Sequence, residues 1–149
     1  MYSIRETQDF YPLSLLYQES GLEVTPGHTP PQGTLSMLRC EDSETGELVA
    51  AATLQHRAGH FVLARLAVVS RLQGGGLGSQ LLASAEHHAK QLGARELWLV
   101  GKVPGFYARY QWHTVPREMA PPISRCLTCS QFQVDCFPSI MKKELSFDV

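Results

Sequence analysis

The stretch that most constrains this chain is Arg71-Leu72-Gln73-Gly74-Gly75-Gly76-Leu77-Gly78-Ser79, because of what flanks it. An apolar run, Phe61 to Val69, comes before it, and a helical pattern that ends near Gly93 comes after. A strand, a glycine-rich turn and a helix start therefore adjoin. Consecutive glycines remove side chains and permit φ > 0, so backbone N–H groups can converge on an anion. The helix adds its unpaired first N–H groups and the positive end of its dipole. The arrangement suits a phosphate. A plain tight turn from strand to helix is the competing reading.

Two familiar phosphate loops do not fit. A P-loop needs a Lys-Ser/Thr pair after its last glycine, whereas Gly78 is followed by Ser79-Gln80. The fingerprint G-x-G-x-x-G is not matched by glycines at 74, 75, 76 and 78.

The elements around the loop follow from periodicity. Leu77, Leu81, Ala85 and Ala89 lie four apart with Leu82 and Leu92 beside them, an amphipathic helix of about 15 residues that Gly93 would cap. Arg95 to Val100 reads as a buried strand, so the strand–helix–strand unit implies a right-handed parallel crossover. Upstream, residues 2–5 form a short strand. A helix follows within Thr7 to Ser20, starting near Asp9 as cap with Pro12 in its first turn, and Gly21 ends it. Residues 25–33 hold no long regular element. Thr34 to Cys40, Glu47 to His56 and 60–69 read as three strands of a meander, joined by the turns Glu41–Gly46 and Arg57-Ala58-Gly59. Downstream, Pro104 opens a short helix through Tyr110, and Gln111 to Val115 forms a strand. Residues 116–137 are irregular, and Ser139 to Phe147 closes the chain as a strand. The expected class is α/β (α+β), a mixed, mostly antiparallel sheet with helices on both faces.

With Leu66-Ala67-Val68 ahead of it, the segment Gln73-Gly74-Gly75-Gly76-Leu77-Gly78 resembles the acetyl-CoA-binding motif of the GNAT (Gcn5-related) N-acetyltransferase superfamily. That pattern is an apolar strand ending in Val, a short link, then Arg/Gln-x-x-Gly-x-Gly/Ala. Gln73, Gly76 and Gly78 fill its defining positions. Downstream, Phe106-Tyr107-Ala108-Arg109-Tyr110-Gln111-Trp112 resembles the family's F-Y-x-x-x-G-F segment, with Gln111 and Trp112 where Gly and Phe usually stand.

The resemblance implies transfer of an acetyl group from acetyl-CoA to an amine by direct attack in a ternary complex. It implies cofactor contacts from Leu66, Val68, Gln73, Gly74, Gly75, Gly76, Leu77, Gly78 and Ser79. It maps the amide that meets the thioester oxygen to Val68 and the acid that protonates the leaving thiolate to Tyr107, with Tyr110 as a spare. A phenol with pKa about 10 is protonated at neutral pH. The positions where some relatives carry a histidine base are Val62 and Ala64 here, which cannot act, and Arg65 stays charged. His56, His60 and His113 are candidates, yet a lone histidine is more often structural or solvated, so a water chain or a partly neutral amine is expected to serve. The rival is a catalytically silent CoA-binding domain of the same fold.

Composition narrows the setting. A chain of 149 residues, 44% apolar and 18% charged, reads as one globular domain over 1–149. A net charge of −1 gives no bulk attraction to nucleic acid or an anionic membrane. No apolar run is long enough to span a bilayer and no leader pattern is visible, so a cytoplasmic protein is expected. The acceptor is expected to be a small-molecule amine. A homodimer through an exposed last strand is a further expectation. Cys126, Cys129 and Cys136 have a partial metal-site spacing, with His113 or Cys40 as a fourth ligand. Reduced thiols packing a loop, a structural zinc site or redox pair, and a substrate role compete there.

Overall fold

A computed structural model describes residues 2–22, 24–101, 104–121, 123 and 139–145. Its strands are β1 (Tyr2–Thr7), β2 (Thr34–Asp42), β3 (Leu48–Arg57), β4 (His60–Val68), β5 (Glu96–Gly101), β6 (His113–Thr114) and β7 (Ser139–Glu144). Its helices are α1 (Phe10–Glu19), α2 (Leu77–Gln91) and α3 (Pro104–Ala108). Hydrogen-bonded neighbours run β1-β2-β3-β4-β5-β7-β6, a seven-stranded sheet that is antiparallel except at β4–β5. The chain packs as two compact units, Met1–Gln55 with Leu63–His88 and His56–Val62 with Ala89–Val149.

The first unit is built on β3, whose residues from Val49 to Gln55 are all buried. Three alanines, Ala50, Ala51 and Ala52, let neighbouring layers approach it closely. On one face, Phe10, Leu13, Leu16 and Tyr17 of α1 pack with Met37, Ala51 and Ala67. Each such large apolar side chain contributes about 1.5–3 kcal/mol on burial. The Tyr17 hydroxyl is satisfied inside this core by Thr53 Oγ1 at 2.8 Å, and burial pushes its pKa up. Leu38, next to Met37 on β2, faces the other way and meets α2 residues Ala83 and Ser84 across a shallow hollow. Helices therefore cover both faces of this unit's sheet, as expected.

Helix ends show how local sequence fixes the chain. After α1, the Leu22 N–H bonds the Tyr17 carbonyl at 3.0 Å and the Gly21 N–H bonds Gln18 at 3.1 Å. After α2, Ala94 bonds Ala89 and Gly93 bonds Lys90 in the same two-bond pattern, at 3.0 Å each. Both are Schellman caps. The N-terminus of α1 differs from expectation: Asp9 occupies the cap position but its side chain makes no capping bond, the third helical residue being Pro12, which has no N–H; the Asp9 N–H bonds Thr7 Oγ1 at 3.1 Å.

In the second unit, β4 and β5 run parallel, registered by Val62 with Trp98. The parallel pairing expected of the strand–helix–strand unit is thus observed. The turn Ala58-Gly59, with φ of 50° and 82°, is a two-residue hairpin of the primed type that suits twisted strands. Val62, Trp98, Ile123 and Ile140 form this unit's core. The last strand corrects the basis of the dimer expectation: β7 is interior, paired to β5 over Glu96↔Glu144 to Gly101↔Ser139 and to β6 at His113↔Lys142. It is not the edge strand that a second copy would need. Strand β6 is also shorter than expected and α3 ends at Ala108, because Gln111 leaves the helical region. Among the described residues no helix is long and apolar enough to cross a membrane.

Candidate functional site

The glycine loop lies in the first unit. Strand β4 ends at Val68, a single 3-10 turn spans Ser70–Leu72, and the loop leads into α2. Gly74 and Gly76 have φ of 87° and 86°, the left-handed region that an L side chain enters at a cost of about 1–2 kcal/mol. A Cβ at either would touch no protein atom, so conformation rather than crowding demands glycine there. The first bond of α2 runs from the Gln80 N–H to the Gly76 carbonyl at 3.2 Å, and Ser79 Oγ donates to the same carbonyl at 2.8 Å. The N–H groups of Leu77, Gly78 and Ser79 thus precede the helical ladder and face outward at its positive end. No acidic residue sits in the first turn of α2 to oppose an anion.

The other residues expected to hold a cofactor divide. Leu66 and Val68 are half-buried and, two apart on β4, share a face. Leu77 is 6% exposed, its side chain sunk in the core, so only its backbone N–H can serve a ligand. Gln73 is exposed, but its side chain is already engaged with the Val68 carbonyl at 3.1 Å. Arg71, the nearest cation in sequence, is paired with Glu47 at 2.6 Å. What this loop can offer an anion is therefore its backbone N–H groups.

Tyr107 lies in the second unit, on α3, and is 8% exposed. Burial pushes its phenol up to about 12, so it stays protonated through neutral pH. Its ring rests on Gly101 at the end of β5: a Cβ there would stand 3.2 Å from Tyr107 Cε2 and 3.1 Å from Leu99 Cδ1. Phe106 and Trp112 meet the Tyr107 ring edge-on, with centroids at 5.0 and 5.9 Å. The segment after α3 is a third Schellman-like cap. The Trp112 N–H reaches the Tyr107 carbonyl at 3.3 Å and the Gln111 N–H reaches Ala108 at 3.4 Å. Gln111, with φ of 72°, fills the left-handed position. The Trp112–Tyr107 contact is the apolar partner such a cap usually carries. The spare, Tyr110, is half-buried against Phe106, with the Arg109 guanidinium 5.9 Å from its ring.

Candidate bases are scattered. Val62 is buried and Ala64 half-buried. His56 is exposed and packs edge-on to Phe61, His60 stands 3.8 Å from Glu96 and edge-on to Trp98, and His113 is exposed on β6. Cys40 is fully buried in β2, and burial raises its thiol pKa. Cys126, Cys129 and Cys136 lie outside the described residues. Among the described residues no three His, Cys, Asp or Glu side chains gather to hold a metal ion, and a zinc site has no support.

Gly101 escaped the sequence reading, although a glycine closing an otherwise apolar strand is a signal of close approach. The Gln73–Val68 bond also escaped it, and no linear signal would have revealed that bond.

The sequence profile described as the Acetyltransferase (GNAT) family matches residues 2–110. No curated protein sequence matches the chain. Among solved structures it is similar to N-acetylglutamate synthase from Neisseria gonorrhoeae, complexed with coenzyme A and N-acetyl-glutamate, at TM-score 0.76 and 21% identity. That match covers 99% of this chain and 36% of the other, so the chain spans about a third of that synthase. It is similar to the ribosomal-protein-S18-alanine N-acetyltransferase from Escherichia coli at TM-score 0.68 and 19% identity, covering 100% and 97%. It is also similar to nourseothricin acetyltransferase at TM-score 0.67 and 14% identity, covering 97% and 99%. These likenesses establish a shared fold.

Proposed function

This chain belongs to the acetyltransferase (GNAT) family, and from that premise we propose that it is a single-domain, cytoplasmic N-acetyltransferase using acetyl-CoA and a small-molecule amine. The observation that carries the reading is the end of β4 feeding a loop with two left-handed glycines and an open α2 N-terminus. Backbone N–H groups from Gly74 to Ser79 would hold the pyrophosphate. The Val68 N–H would meet the thioester oxygen as negative charge develops there, a contact typically worth about 10²–10³ in rate. The amine nitrogen attacks the carbonyl carbon, the C–S bond breaks, Tyr107 gives its proton to the departing sulfur, and the amine's proton leaves through water. A phenol raised to about 12 is a weaker acid than usual, but a dry site also raises the proton affinity of the thiolate.

The net charge of −1, which offers no field for a polybasic tail, supports a small acceptor. The fold is neutral on this point, since it is shared with nourseothricin acetyltransferase, named for a small molecule, and with an acetyltransferase named for a ribosomal protein. A silent CoA-binding domain is the second reading, favoured by Val62 and Ala64 in place of a base.

A thermal melt with acetyl-CoA, with NAD and ATP as controls, tests the cofactor. Ligand at about a hundred times its Kd adds roughly 2.7 kcal/mol, a shift of several degrees at this size. A shift with acetyl-CoA alone, followed by thiol release with one member of an amine panel, supports the enzyme. Binding without turnover across the panel supports the silent domain, and a shift with ATP instead overturns both.

A further inference from the structure

The glycines do not account for Gln73. The 3-10 turn Ser70–Leu72 reverses the chain after β4, and the Gln73 N–H bonds the Ser70 carbonyl at 3.2 Å. That reversal returns the Gln73 carboxamide to the strand end, where Nε2 donates to the Val68 carbonyl at 3.1 Å. The same peptide unit is held at its other side, since the Val69 N–H donates to the Val49 carbonyl at 2.9 Å. Val49 is fully buried at the start of β3. The Val68–Val69 peptide is thus pinned twice, to the core strand by its N–H and to the loop by its C=O. It cannot rotate about the Val68 Cα–C bond without breaking at least one of these bonds. Val68 is the residue whose own N–H meets the thioester oxygen in the function proposed above, on which this inference rests.

We propose that Gln73 is a positioning residue for the acyl transfer: its side chain clamps the Val68–Val69 peptide so that Val68 keeps its aim, and it does not bind the pyrophosphate. The bond uses the amide as donor. Arginine at this position keeps a donor, whereas glutamate, ionised, has none. Recognition of the pyrophosphate then falls to the backbone from Gly74 onward. The side chain of Gln73 governs the reacting carbonyl instead.

The test is NMR on the full chain with acetyl-CoA carrying carbon-13 at its carbonyl. In the parent, the carbonyl resonance is displaced on binding. In Q73A, acetyl-CoA still binds with little change in Kd, most of that displacement is lost, and the Val69 amide exchanges about fivefold faster, the scale of one neutral hydrogen bond. Q73R restores both readouts and Q73E restores neither. Gln73 is exposed, so these variants leave the fold intact, which a melt verifies. A Q73A protein that keeps the parent's displacement overturns the proposal. So does one whose acetyl-CoA binding weakens about tenfold or more, the mark of a lost contact to a charged group. A parent that binds no acetyl-CoA removes the functional reading itself, whereas a parent that binds and is matched by Q73A removes only this inference.

Discussion

Of the segments of this chain that turn on left-handed residues, two fill them differently. The loop before α2 uses glycine, at Gly74 and Gly76. The cap after α3 uses Gln111, with a φ of 72°. In the function proposed, the loop backbone is the binding group, so a Cβ would carry both strain and bulk into the space where an anion must come close. At Gln111 the left-handed residue only closes a cap, its N–H is spent on Ala108, and its side chain is exposed. A strain of about 1–2 kcal/mol is tolerable there because nothing has to approach it. A cap that only turns the chain can use either residue, glycine at Gly21 and Gly93 or glutamine at Gln111, whereas in the function proposed the loop needs glycine at both left-handed positions because an anion must approach its main chain.

The contrast assigns side-chain chemistry to the α3 segment and backbone chemistry to the loop, and the largest expected effects test that division. Tyr107→Phe keeps the ring against Gly101 and removes only the proton donor. It should lower kcat by about 10²–10⁴, the usual weight of a general acid, with acetyl-CoA binding unchanged. The donor is the protonated form, present below its pKa and lost as pH rises through it. With that pKa near 12, activity limited by Tyr107 should persist on the alkaline side where an ordinary phenol would begin to fail near 10. A Tyr107→Phe enzyme with full kcat would break the division. Gly76→Glu is the complementary test. It forces a side chain into a φ of 86° and sets a carboxylate beside the helix N-terminus. Stability should fall by about 1–2 kcal/mol, and acetyl-CoA binding, read by calorimetry, should weaken by at least about tenfold. Retained binding would mean that the loop is only a turn.

How far the sequence announced these regions follows from the same contrast. The loop's turn and helix start were legible because they are a local property of consecutive residues. The α1 and α2 ends were legible for the same reason, Gly21 and Gly93 each filling the position after the cap. Asp9 was rightly placed at the cap but its capping bond was misjudged, because the third helical residue is Pro12, which has no N–H to donate to the carboxylate. The placement of β7 between β5 and β6 was missed because it depends on a two-residue strand far off in sequence. Tyr107 was found by motif, but its burial against Gly101 was not, since that contact joins a strand end to a helix through space. The Gln73 bond to Val68 depends on a 3-10 turn that no periodicity marks.

A smaller effect probes the precision of the tyrosine's seat. Gly101 has no positive φ, so here glycine answers to space, the reverse of Gly74 and Gly76. The methyl that Gly101→Ala adds, at 3.1 Å from Leu99 Cδ1 and 3.2 Å from Tyr107 Cε2, requires the ring to give by a few tenths of an ångström. Misplacement by about 1 Å can cost 10²-fold in rate, so Gly101→Ala should cost roughly tenfold or less in kcat, with an overpacking penalty of about 1–3 kcal/mol in stability. If kcat is untouched while stability falls, Gly101 serves the fold alone and the phenol tolerates displacement.

The smallest effect bears on the comparison most directly. Gln111→Gly places at the α3 cap the residue that the loop already uses. It relieves about 1–2 kcal/mol of left-handed strain and gives back about 0.5–1 kcal/mol through the greater freedom of glycine in the unfolded chain. The net gain should be about 0.5–1 kcal/mol, raising Tm by roughly 1–4 °C at this size. Gln111→Ala keeps the strain and should leave Tm nearly unchanged, which separates backbone relief from loss of the glutamine side chain. Because Gln111 contributes to the cap alone, kcat should match the parent in both variants. A Gln111→Gly protein that melts lower would show that the glutamine side chain makes a stabilising contact outweighing its strain. The two left-handed sites would then differ by their contacts, not by whether a ligand must approach the main chain.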